Sequence, residues 1–91
     1  MGVAQHLGKV SSVDLDVQTI DVHLVRTQLT NKEWTVNVTE DTKITKGSEE
    51  ITLEEVKVDD IIRVRGVANR HTRQVEAHKI HILSLRASAD Q

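Results

Sequence analysis

The chain has 91 residues, no cysteine, no proline and a formal net charge of −2. This length makes a single domain, 1–91. The missing thiols exclude disulfides, thiol catalysis and zinc–thiolate sites, and no apolar run approaches the roughly 18 residues of a membrane span.

Val, Ile and Thr supply 29 residues, and Trp34 is the one residue among Phe, Trp and Tyr. Such a make-up favours strands, because branched side chains pack well on a pleated surface and lose rotamer freedom in a helix. The start, Met1-Gly2-Val3-Ala4-Gln5-His6, has neither a basic opening nor an apolar core, so it does not read as a signal peptide. Composition leaves the compartment open: a soluble domain, cytoplasmic or exported with its signal removed.

Residues 7–13 form the first predicted strand, where Gly8 and the uneven spacing of Val10 and Val13 predict a bend or bulge. After a short turn, residues 19–25 alternate cleanly, with Ile20, Val22 and Leu24 inward and Asp21 and His23 outward. A polar connection over 27–32 leads to a third strand, 33–39, with Trp34, Val36 and Val38 on its inner face. Residues 40–44 run into Gly47-Ser48. One helical turn is predicted over 52–56, with Thr52 as N-cap and Glu55 completing a capping box. The fourth strand, 61–67, points Ile62 and Val64 inward and Arg63 and Arg65 outward. Asn69-Arg70-His71-Thr72-Arg73 is a basic turn. In the last strand, 74–83, apolar parity shifts from Val75 and Ala77 to Ile80 and Ile82, which predicts a β-bulge near His78-Lys79. The ordered core should run from 6 to 84, with 87–91 as a flexible tail.

The order strand, strand, strand, short helix, strand, strand is that of the OB-fold, a five-stranded Greek-key barrel. The chain resembles, more narrowly, the small bacterial OB-like domains of unknown function often found in exported proteins. The likeness rests on Gly8-Lys9-Val10-Ser11-Ser12-Val13-Asp14, Ile20-Asp21-Val22, the stretch from Val36 to Ile44, the stretch from Leu53 to Gly66, and Val75-Glu76-Ala77-His78-Lys79-Ile80. It covers residues 8 to 82. The stretch from Leu53 to Gly66 is its most specific part, yet consists of apolar and turn residues, and so implies fold rather than chemistry. The chain departs from that pattern at Asp59-Asp60, where Gly-Asp is usual, and in lacking a glycine in the last hairpin turn. The resemblance implies no catalytic residue and no cofactor.

Catalysis needs a positioned nucleophile or acid–base set, and no phosphate loop, nucleophile elbow or metalloprotease helix is present. The acidic pairs Glu49-Glu50, Glu54-Glu55 and Asp59-Asp60 read as a solvated cap. His78 and His81 are the tempting metal pair, but residues three apart on a regular strand face opposite sides. The predicted bulge would realign them, with Glu76 or His23 as the available third ligand, so a metal site there is disfavoured. Residues 40–60 hold eight acids against three lysines, and residues 61–86 hold six bases against Glu76. Arg63, Arg65, Arg70, His71 and Arg73 are therefore the candidate ligand-binding set, since arginines reach phosphates through charge and forked donors. The competing reading pairs Arg63 and Arg65 with Glu76 across the sheet. Trp34 keeps the parity of the core, which places it inside rather than on a base-stacking surface. Val25, Ile61 and Val67 have outward parity, the mark of an oligomer interface when such residues form a set.

The sequence thus predicts an all-β, five-stranded OB-like Greek-key barrel with one short helix between strands three and four. It predicts a non-enzymatic module for a protein partner or self-association. The alternative is weak, salt-dependent binding of single-stranded nucleic acid or another anionic ligand at the arginine cluster.

Overall fold

A computed structural model describes residues 4–25 and 33–83. They form β1 (Ala4–Asp14), β2 (Thr19–Val25), β3 (Glu33–Asn37), β4 (Lys43–Lys46), β5 (Glu49–Ile51), a 3-10 turn (Leu53–Glu55), β6 (Ile61–Asn69) and β7 (Gln74–Leu83). The connection expected over 27–32 and the tail expected over 87–91 lie outside the described residues.

The strands join in the order β3-β2-β1-β6-β7-β4-β5, and a parallel pairing of β3 with β7 closes the first five into a barrel. β7 serves two neighbours on its open side. Its first residues pair with β3, Val36 opposite Val75. Its later residues pair with β4, Ile44 opposite Ile80. The all-β class and the closed five-stranded barrel follow the sequence expectation. Two further strands, the β4–β5 hairpin, were not expected.

That hairpin turns through Gly47-Ser48, with Gly47 at φ +62°. A two-residue loop needs a left-handed residue to match strand twist, and glycine adopts that conformation without a Cβ clash. The predicted helix is also corrected. Residues 53–55 make a single 3-10 turn, and Thr52 gives no side-chain cap. Its backbone carbonyl instead accepts the N–H of Glu55 at 3.0 Å. Three residues are too few to close a full α-turn ladder.

Both predicted irregularities are present. Between β1 and β2 the pairing steps from Val10↔Val22 to Ser12↔Asp21, leaving Ser11 as the bulge. Between β6 and β7 it steps from Arg65↔Lys79 to Gly66↔Ala77, leaving His78 unpaired. Here Gly66 has a steric reason: a Cβ would lie 2.1 Å from the Glu76 carbonyl oxygen. The extra residue resets the inward parity, so Val75 and Ala77 before it and Ile80 and Ile82 after it all reach the core. Ile20, Ile62, Ile80 and Ile82 are sealed from solvent, and Trp34 is 5% exposed within the same cluster.

Candidate functional site

The five residues of the arginine cluster do not converge. Arg63 and Arg65 project from the outer face of β6 beside Lys79 and His81, and line a shallow hollow with Gln5. Arg70 and His71 line a different cavity, at the turn after β6. Arg73 lines a third hollow beside Asp21 and Glu33, whose charges oppose its own. The reason is local. Strand parity aims Arg63 and Arg65 at the barrel flank, whereas Arg73 has φ +56° and the chain reverses there. The pairing of Arg63 and Arg65 with Glu76 also fails, since their cross-strand neighbours are His81 and Lys79 and Glu76 stands opposite Val67.

His78 is the exposed bulge residue and His81 is half-buried on the strand beyond it. The His81 Nδ1 is hydrogen-bonded to the Thr45 hydroxyl at 2.8 Å. Arg63, Arg65 and Lys79 share its hollow, and such a cationic setting repels a metal ion. His23 is paired with Glu33, Nδ1 to Oε2 at 2.6 Å. Among the described residues, no three His, Asp or Glu side chains converge as a metal cluster.

The sequence reading passed over His6. It lies on β1 opposite Val64, in the inward phase of Gly8 and Val10. Its ring stacks on Trp34, with centroids 6.3 Å apart and planes inclined by 21°. Its Nε2 is sealed from solvent and has no hydrogen-bond partner among the described residues. Burial holds its pKa below the ordinary value of 6.5, so the neutral ring, with a lone pair on one nitrogen, is favoured. An unmet buried polar atom costs about 1–3 kcal/mol. His6 and Trp34 form one wall of a cavity of about 690 Å³ whose other sides are Ala4, Val67, Ala68 and the turn residues Asn69, Arg70 and His71. The parity that exposes His6 as an inward residue was present in the sequence. The predicted strand began one residue too late to include it.

The turn is built to present His71. The Asn69 Oδ1 accepts the backbone N–H groups of His71 at 2.9 Å and Thr72 at 3.3 Å. Among the described residues the His71 ring has no hydrogen-bond partner. Among the described residues the cavity thus collects two imidazoles, an indole, the Arg70 guanidinium, the Asn69 amide and apolar walls, with no carboxylate. Neutral imidazole nitrogens are ligands for copper, zinc and nickel.

No protein-family model matches the sequence, and no curated protein matches it. Solved structures do share the fold. A Cu(II)-bound form of Escherichia coli CusF, in which one tryptophan is replaced by alanine, is 19% identical with a TM-score of 0.63, over 88% of this chain and 90% of that one. Ag(I)-bound CusF is 19% identical with a TM-score of 0.63, over 90% and 99%. Apo CusF from Escherichia coli is 20% identical with a TM-score of 0.57, over 89% and 87%. In its architecture the chain is a small OB-like barrel that resembles CusF.

These comparisons correct the functional expectation. Three of the solved structures that share the barrel hold Cu(II) or Ag(I), which overturns the reading of a protein-interaction, self-association or single-strand-binding module. The geometry agrees. The arginines are split over three hollows, and Trp34 is in the core rather than on a stacking surface. Of the presumed interface set, Val25 and Ile61 are half-buried and Val67 is exposed. No helix among the described residues is long and apolar enough to cross a membrane.

Proposed function

We propose that this protein is a non-catalytic metal-ion-binding barrel, taking an ion of the late transition-metal class at the His6–Trp34 end of the barrel. The observation that carries this reading is the His6 imidazole, stacked on Trp34 on the wall of a cavity that His71 also lines. A neutral imidazole nitrogen is a ligand for ions of that class. The likeness to a fold seen with Cu(II) and Ag(I) supports the same reading. The donor chemistry fits nitrogen-liking ions: the chain has no cysteine, and its one methionine, Met1, lies outside the described residues. Bound there, the ion would be held and shielded by side chains, with Trp34 beside it.

Trp34 is the only tryptophan, so all of the indole emission comes from a residue on the wall of this cavity. Titration with Cu(II), Ni(II), Zn(II) and Ag(I) in a non-coordinating buffer should quench or shift that emission with a one-to-one end point for at least one ion. Unchanged emission and no calorimetric heat with all four at 100-fold excess would refute the reading.

A further inference from the structure

We infer that the outer face of β6 and β7 carries a separate site for a phosphate dianion, free or as a monoester, built by Arg63, Arg65, Lys79 and His81. It lies on the barrel flank and does not depend on the metal-ion reading. In the antiparallel ladder Arg63 stands opposite His81 and Arg65 opposite Lys79. Side chains directly opposite start about 5 Å apart, and positions two along a strand share a face about 7 Å apart. The four groups are thus rooted at the corners of one small rectangle, and they line a single shallow hollow with Gln5. Arginine and lysine side chains rooted that closely reach one tetrahedral ion together. His81 is the half-buried member, and its Nδ1 is bonded to the Thr45 hydroxyl at 2.8 Å. When that hydroxyl donates, Nε2 carries the hydrogen and can itself donate to an oxyanion.

What marks this face is the missing counter-charge. Elsewhere on the barrel cations stand beside acids: Lys9 lies 3.7 Å from Asp59, and Arg73 shares its hollow with Asp21 and Glu33. The chain has 14 acids against 12 lysines and arginines, so acids are not in short supply. Yet among the described residues no carboxylate lines the hollow, and none of Arg63, Arg65 and Lys79 forms an ion pair. On its other side Lys79 faces Lys43, its partner on β4. Like charges directly opposite one another destabilise a sheet, so the row Lys43, Lys79, Arg65 is relieved when an anion enters beside it. Guanidinium forks give paired N–H bonds to phosphate oxygens, and lysine adds a point charge. The hollow, of about 270 Å³, holds one phosphate group and leaves an ester substituent in solvent. The ligand is the phosphate group rather than a nucleic-acid strand. The one indole is in the core, where no base can stack on it, and Arg70, His71 and Arg73 line other hollows.

The test is titration of the whole chain, metal-free, with inorganic phosphate and with glycerol 3-phosphate, at constant ionic strength and a pH above about 7, where both are largely dianions. Nuclear magnetic resonance of the backbone amides reads it. Saturable shifts confined to the amides around Arg63, Arg65, Lys79 and His81 are expected. Tighter binding of the ester would assign the site to phosphomonoesters, and equal or tighter binding of inorganic phosphate to the free ion. Arg65→Gln and Lys79→Gln should each weaken binding at least fivefold. Lys79→Glu, which supplies the missing acid, should abolish it. Arg73→Gln, in another hollow, should leave it unchanged. Arg65 and Lys79 are exposed, so their variants spare the core. Shifts that grow without saturation for both probes, or affinity in Arg65→Gln and Lys79→Gln equal to the parent's, would overturn the site.

Discussion

His6 sits with its ring against Trp34 and one nitrogen sealed from water, so the folded chain resists protonating it. Burial lowers its folded-state pKa below 6.5. The unfolded chain protonates His6 at the ordinary value, so between the two values the unfolded state holds more protons. Stability therefore rises with pH across that window and falls as pH drops below about 6.5. In metal-free protein, urea midpoints should decline from pH 7.5 to pH 5.5, and His6→Gln should flatten that decline relative to the parent chain. An identical slope in both would remove His6 as its source. Trp34 and His6 also mark what was legible residue by residue. Trp34 kept the phase of Val36, and alternation alone placed it in the core. His6 kept the phase of Val10, but Gln5, Leu7 and Lys9 around it gave no apolar run by which to extend the strand.

Two hairpin turns share one design at the scale of elements. In the β1–β2 turn, Asp14 Oδ1 accepts the N–H groups of Asp16 and Val17 at 2.9 and 3.3 Å, and Gln18 has φ +58°. In the β6–β7 turn, Asn69 does the same for His71 and Thr72, and Arg73 has φ +56°. Each turn thus opens on a side chain that mimics a backbone acceptor and closes on a left-handed residue that is not glycine. The left-handed conformation costs a side-chain-bearing residue about 1–2 kcal/mol, while glycine gives back roughly 0.4–1 kcal/mol through the unfolded chain. Arg73→Gly should therefore stabilise the protein by a few tenths to about 1 kcal/mol, read as a raised urea midpoint with an unchanged slope. A lowered midpoint would show that the arginine side chain matters more than its backbone.

Asp59, at φ +77°, explains in the same way why glycine is usual at that place in the domains the sequence resembles. Both bulges were legible because a parity break in an apolar pattern admits little else. The β4–β5 hairpin was not. Its strands are four and three residues long, and a single Ile in each, Ile44 and Ile51, leaves no alternation to read.

At the scale of the whole molecule, β7 holds the barrel closed, because it pairs with β6 along its length and with β3 and β4 in succession. Parallel closure of this kind joins distant segments, and its register is not encoded in any local pattern, so the order of strands could be expected only from the resemblance. The antiparallel pairing of β1 with β6, Ala4 opposite Gly66, places the β6–β7 turn beside the start of β1, where His6 and His71 line one cavity. A ligand held in that cavity binds the folded state and has no preformed site in the unfolded one. Metal binding should then raise the melting temperature by linkage. At an ion concentration 100 times the dissociation constant the gain is about 2.7 kcal/mol, or roughly 10–20 °C for a domain of this size. At least one of Cu(II), Ni(II), Zn(II) and Ag(I) should produce that shift in the parent chain, read by differential scanning calorimetry in a non-coordinating buffer. An unchanged melting temperature with all four at saturating concentration would count against a metal site in the folded barrel.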